Sequence, residues 1–171
     1  MLKPHKDKAR LDRLFPALRE YQALASAHGI SDIFQDNGGK LLQLLIELDL
    51  TIVAGRAGSD AIDRSGREFE IKTMNLSLTR SFSTHHHLND AILRHFRSVD
   101  WLFAFYRGIE LSAVYRMSPP QLEGLFAKWE ATWLERGKRD LNNPKIPARF
   151  VCENGQLIYG FPPQQGLTHT A

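Results

Sequence analysis

Three features of this 171-residue chain predict the α/β class, a mixed α+β arrangement in which one mixed sheet is flanked by helices. Apolar residues recur at spacings of three and four through the first fifty positions, the signature of amphipathic helices. Trp101 to Tyr106 is an almost unbroken apolar run, short enough for a strand buried on both faces. Between them, Glu68 to Lys72 alternates charged and apolar residues beside the turn sequence Arg64-Ser65-Gly66, as a hairpin strand does. The composition fits such a fold. Hydrophobic residues are 43% and charged residues 24% of the chain, which excludes disordered and fibrous classes. The formal charge of +3 does not by itself announce a nucleic-acid partner, because an acidic site can mask a basic groove in the sum.

Taken in order, Leu11, Leu14, Phe15, Leu18 and Tyr21 predict a helix over about 8–28, bent or delayed by Pro16 and stopped at Gly29. Leu41, Leu44, Leu45 and Leu48 predict a second helix after the Asp36-Asn37-Gly38-Gly39 turn. Together they offer more apolar surface than a small sheet covers, for core packing or for a dimer interface. Strands are expected at 50–54, 60–63, 68–74, 101–106 and 109–117, with a helix at 89–97 capped by Asn89. Ser118-Pro119-Pro120 opens a helix closed by Gly137, with Trp129 and Trp133 on its core stripe. Arg149–Val151 and Leu157–Tyr159 read as a final hairpin around Asn154-Gly155, and 160–171 as a mobile tail. With no internal repeat or linker, residues 1–159 read as a single domain, helical over about 8–50. No stretch approaches 18 apolar residues and no leader precedes the first helix, so neither a membrane partner nor secretion is expected. Cys152 is the only cysteine, which rules out an internal disulfide and a cysteine metal site and fits a reducing cytoplasm.

The hairpin is where chemistry is expected. A turn centred near Ser65 pairs residues whose numbers sum to about 130, setting Asp60 opposite Glu70 on one face. Glu68, Glu70 and Lys72 then share that face, while Phe69 and Ile71 take the other. Two carboxylates about 5 Å apart repel, and one pKa rises unless a cation joins them. Two hard oxygen ligands with a backbone carbonyl and water suit Mg2+, and Lys72 beside them suits charge neutralisation at a phosphate. An acid-x-Lys tripeptide alone carries little weight, and an i,i+2 ion pair on a solvated face is the plain alternative.

Two polar loops stand apart. Ser83-Thr84-His85-His86-His87 lacks the i,i+4 spacing of a zinc helix but supplies donors suited to guanine edges or phosphates. Asn142-Asn143-Pro144-Lys145 offers asparagine amides matched to adenine N6 and N7 on a proline-stiffened loop. Ordinary surface histidines and ordinary turn chemistry are the plain readings of each.

In combination these segments are more specific. Ser31-Asp32-Ile33-Phe34-Gln35-Asp36-Asn37-Gly38-Gly39-Lys40-Leu41-Leu42-Gln43, Asp60 with Glu70-Ile71-Lys72, Phe82-Ser83-Thr84-His85-His86-His87, Tyr106-Arg107-Gly108-Ile109 and Asn142-Asn143-Pro144-Lys145-Ile146-Pro147 occur in one order. From about Leu11 to Tyr159 the chain closely resembles the PvuII-type family of type II restriction endonucleases, within the PD-(D/E)xK nuclease superfamily.

That resemblance implies a restriction-endonuclease-like sheet core, an N-terminal dimerisation region over about 8–50 and a catalytic and DNA-recognition region over 51–159. It implies a homodimer that cuts double-stranded DNA at CAGCTG, centrally and with blunt ends, in a prokaryotic cytoplasm beside a cognate DNA methyltransferase. Asp60, Glu70 and the Ile71 carbonyl would hold Mg2+, and Lys72 would assist the attacking water. Asp36 matches an acidic residue needed for activity that lies toward the minor groove. Ser83, His85, His86 and His87 look like the major-groove and phosphate segment, and Asn142 and Asn143 like the second base-reading segment. Two departures stand out. Phe96 replaces a tyrosine near the catalytic centre and brings no hydroxyl, and Glu47-Leu48-Asp49 is more charged than the family sequence there.

Overall fold

The computed structural model describes residues 5–53 and 59–163. The chain divides into two compact units, Met1–Leu48 and Asp49–Ala171.

In the first unit, α1 (Lys8–Ala27) runs through Pro16 without interruption, so the proline neither delays nor ends it. Its far end is closed as the sequence predicts. Gly29 takes a φ of +81°, its N–H donating to Ser26 O and the Ile30 N–H to Ala25 O, the paired bonds of a Schellman stop. Then α2 (Gly38–Leu48) takes in both glycines of the turn expected to precede it. Gly38 is required there, because a Cβ would lie 2.3 Å from the Asp32 carbonyl oxygen. The Tyr21 hydroxyl donates to Gly39 O at 2.5 Å and fastens α1 to α2. Leu42, Leu44 and Leu45 of α2 are buried, whereas Leu11, Leu14, Phe15 and Leu24 of α1 stay exposed.

The second unit is built on a six-stranded mixed sheet in the order β1-β2-β3-β5-β6-β8, with a separate two-stranded pair, β4-β7. Its strands are β1 (Thr51–Ile52), β2 (Ala61–Ile62), β3 (Glu68–Asn75), β4 (Ser81–Ser83), β5 (Asp100–Arg107), β6 (Glu110–Met117), β7 (Lys145–Pro147) and β8 (Gln156–Gly160). Three helices accompany them: α3 (Asp90–Phe96), α4 (Pro119–Glu135) and α5 (Ala148–Asn154). Among the described residues only β3 and β5 run parallel, joined by the crossover that carries β4 and α3. All six residues from Trp101 to Tyr106 are buried, as an inner strand covered on both faces requires. One face of β3 and β5 carries Met74, Trp101, Phe103 and Phe105, packed with Phe96, Leu122 and Phe126 from α3 and α4. Phe82 of β4 is fully buried and sits edge-on to Phe103 and Phe105, with centroids 5.0 and 4.9 Å away. That ring anchors the small sheet to the large one.

Several expectations change. Arg149–Val151 is helical, so there is no final hairpin. Ala148 and Val151 share a buried face three residues apart, and Arg149 pairs with Glu153 one turn on. β8 instead joins β6, and β7 instead joins β4. The first strand of this unit is shorter than 50–54, and Ala54 lies outside the described residues. Trp129 is buried, while Trp133 is only partly buried and lies under the Lys138 ammonium at 5.8 Å. Of the predicted tail, Phe161 to Pro163 has no regular structure and 164–171 lies outside the described residues. Among the described residues, no helix is long and apolar enough to cross a membrane.

Candidate active site and DNA-reading loops

The hairpin from Asp60 to Lys72 has the predicted register. Ala61 pairs with Phe69 and Ile62 with Glu68, both sums equal to 130, which places Asp60 across from Glu70. The turn is organised by Asp63, whose Oδ1 accepts from Ser65 N, Ser65 Oγ and Arg67 N. The Ser65 bond leads in holding its carboxyl below the usual range. Asp60 N donates to Phe69 O, and Asp60 Oδ2 accepts from Ile71 N at 2.7 Å. One carboxylate is thus fixed against the strand that carries the other.

Glu70 and Lys72 do not lie on a solvated face. Strand pairing sets Glu70 beside Trp101 and Lys72 beside Phe103, at the border of the aromatic core. Glu70 is 6% exposed, and Glu70 Oε1 accepts from Lys72 Nζ at 2.5 Å. The Lys72 ammonium also lies 5.9 Å from the Phe96 ring centroid and 5.8 Å from that of Trp101. Trp101 Nε1 donates to the Phe96 carbonyl, joining the two aromatic walls. Burial pushes the Glu70 carboxyl up, Lys72 opposes that, and the charge of Asp60 pushes it up again. Burial and the second carboxylate together outweigh the Lys72 charge, so the pair still favours added positive charge.

Sequence reasoning missed His95. From α3 its Nε2 stands 3.7 Å from Glu70 Oε2. This Nε2 is buried without a hydrogen-bond partner. A weak trace exists in the sequence, since His95 follows Ile92 by three and so lies on the helix stripe facing the core. As the side chains lie, no three His, Cys, Asp or Glu groups among the described residues converge as around an ion. The donor chemistry nevertheless fits a divalent cation, with two hard carboxylates in mutual conflict and a buried nitrogen without a partner at their side.

The polar loops come together across the small sheet. Ser83 pairs with Lys145 and Phe82 with Ile146. Thr84 N donates to Asn143 Oδ1 and Thr84 Oγ1 to Pro144 O, while Lys145 Nζ donates to Ser83 Oγ. Asn143 N donates to His85 O, and His86 Nδ1 lies 3.1 Å from Asn142 Oδ1. Each asparagine is thus tied into the paired loops through its Oδ1, which as a carbonyl oxygen keeps a second lone pair. Asn143 adopts φ +52°, a left-handed conformation that asparagine tolerates well.

His85, His86 and His87 are exposed. Burial first, and then the Lys72 charge, lower the His85 pKa and favour its neutral form. His85 Nδ1 accepts from His87 N, so in the neutral ring the proton sits on Nε2 as a donor. His87 instead faces Asp140 at 3.8 Å. Asp36 belongs to the first unit, in the turn before α2, with φ +46°.

The family profile described as Restriction endonuclease PvuII matches residues 6–159. The chain belongs to that family. Membership of the PvuII restriction endonucleases makes it a type II site-specific deoxyribonuclease acting on double-stranded DNA, and accounts for a restriction-endonuclease fold of helices and mixed sheet.

Proposed function

We propose that this restriction endonuclease is a Mg2+-dependent homodimer that hydrolyses both strands of CAGCTG at the centre, leaving blunt ends. Asp60, Glu70 and Lys72 on one hairpin edge carry this reading, with Glu70 buried and its carboxyl pushed up by burial and by the charge of Asp60 despite the Lys72 ammonium.

Asp60 and Glu70, with the carbonyl of Ile71, would hold Mg2+. Bound there, the ion supplies positive charge at the scissile phosphate and acidifies water. The remaining work falls to the chain. Lys72, held by Glu70 Oε1 and the faces of Phe96 and Trp101, orients the attacking water and offsets charge developing on the phosphate. Phe96 and Trp101 exclude solvent from its far side, Phe96 adds no proton donor, and the Trp101 N–H is already engaged by the Phe96 carbonyl. Asp36 acts from the minor-groove side.

Ser83, His85, His86 and His87 supply contacts to major-groove edges and phosphates, and Asn142 and Asn143 donate to base edges. Cross-strand bonds tie both segments together before DNA arrives, so little ordering remains for binding to do. A palindrome calls for two copies related by a two-fold axis, each attacking one strand. The exposed Leu11, Leu14 and Phe15, at one helical spacing on α1, suit the dimer contact. A prokaryotic cytoplasm with a methyltransferase of the same specificity completes the system.

Digestion of a sequenced plasmid with Mg2+ or with EDTA, beside Glu70→Ala, tests the proposal. Blunt cuts confined to CAGCTG and lost in both controls support it. Metal-dependent cuts at another sequence overturn the specificity, and cutting that survives Glu70→Ala overturns the site.

A further inference from the structure

Helix α3 brings one side chain to the catalytic edge that neither the hairpin nor the reading loops account for. Glu70 is gripped on Oε1 by Lys72, and its Oε2 faces His95 Nε2 across 3.7 Å. That gap is too long for a hydrogen bond. A buried polar atom left without a partner costs free energy and is rare unless something else comes to meet it. Two donors that each sit about 2.1 Å from one divalent ion lie about 3.0–4.2 Å apart, depending on the angle at the metal. The observed separation falls inside that interval.

The helix that carries His95 is also firmly anchored. His95 is held by α3, which Asn89 caps through a bond from Ile92 N and which Arg97 clamps to α4 through Glu123 and Glu130. The next residue, Phe96, is buried against Trp101 with ring centroids 4.5 Å apart. The backbone that carries His95 is therefore fixed beside Glu70, and its ring needs only side-chain rotation to share an ion with the carboxylates.

We infer that His95 Nε2 is a nitrogen ligand of the divalent ion held by Glu70, so that this centre is a mixed nitrogen and oxygen site. The inference rests on the metal-dependent reading above. An all-oxygen set favours hard Mg2+, whereas an added imidazole raises affinity along the series from Mn2+ to Co2+ to Ni2+. His95 is thus a determinant of metal preference, and the centre binds Mn2+ and Co2+ more tightly than its carboxylates alone would.

The test uses the full-length protein without DNA. Mn2+, Co2+ and Mg2+ are titrated by calorimetry into wild type, His95→Ala, His95→Gln, His85→Ala and Glu70→Ala, and bound Mn2+ is examined by pulsed electron paramagnetic resonance for 14N coupling. Thermal melts check that each variant is folded, and His95→Gln keeps the volume of the side chain should alanine loosen α3. Wild type and His85→Ala should show imidazole coupling that both His95 variants lose. Affinity for Mn2+ and Co2+ should fall at least about tenfold in those variants, and for Mg2+ less than about threefold. Coupling that persists without His95, or equal losses for Mn2+ and Mg2+, overturns the inference while leaving the nuclease reading intact. Ion binding indifferent to Glu70→Ala overturns both.

Discussion

The catalytic edge and the reading loops are both polar, both lie in the second unit, and are built on opposite principles. On the edge, groups are left in conflict: a buried Glu70 near Asp60, with the His95 nitrogen unpartnered. In the loops, polar groups are answered by ones some sixty residues away, as Thr84 is by Asn143 and Ser83 by Lys145. The difference suits the roles proposed for the two regions. A metal centre gathers like charges and leaves some of their oxygens free for an ion, while a base-reading surface is braced so that its donors are aimed before DNA binds.

The largest effect should come from removing the conflict. Asp60→Ala or Glu70→Ala should lower single-turnover cleavage by at least about a thousandfold, since a metal ligand and its charge are lost together. Glu70→Gln separates function from stability. The folded Glu70 pKa lies above its unfolded value, so its stabilising contribution is complete below the ordinary carboxylate range and is lost as pH rises through the folded value. In EDTA, the melting temperature of Glu70→Gln should therefore overtake that of wild type as pH rises, and a constant difference between the two would contradict a buried, strained carboxyl.

Next in size is the anchor between the two regions. Phe82→Ala empties a site that is fully buried against Phe103 and Phe105 and should cost about 3–5 kcal/mol in urea unfolding. If the small sheet were merely laid on the surface, the loss would be well under that. Asn143→Ala should be milder and more selective, reducing discrimination against single-base variants of the site by about 1–3 kcal/mol with little change in cleavage of any one DNA under saturating protein. The smallest signature per contact is salt. Binding should fall log-linearly with ionic strength by about 0.9 in slope for each phosphate neutralised, and a flat response would remove the phosphate role of the loops.

Much of this was readable beforehand. The hairpin register is local: the Asp63 turn and the alternation from Glu68 to Lys72 suffice to align Asp60 with Glu70, and the structure repeats that alignment. The stop at Gly29, the Asn89 cap and the six-residue inner strand are equally local consequences of residue type. The final hairpin misled because Asn154-Gly155 is a strong turn sequence, whereas Ala148 and Val151 gain more by burying one helical face. The face of Glu70 and Lys72 misled in another way. Alternation reports which side a residue takes, but not that α3 and α4 will cover it.

By itself, then, the sequence determined the elements whose causes lie within a turn or two of chain, the carboxylate pair and the lysine beside it, and through its ordered motifs the family. Tertiary structure alone decided that Thr84 meets Asn143, that Lys72 rests against Phe96 and Trp101, and that His95 faces Glu70. These pairings depend on the parallel crossover from β3 to β5 and on the burial of Phe82. Long-range packing sets them, and no short window of sequence contains both partners.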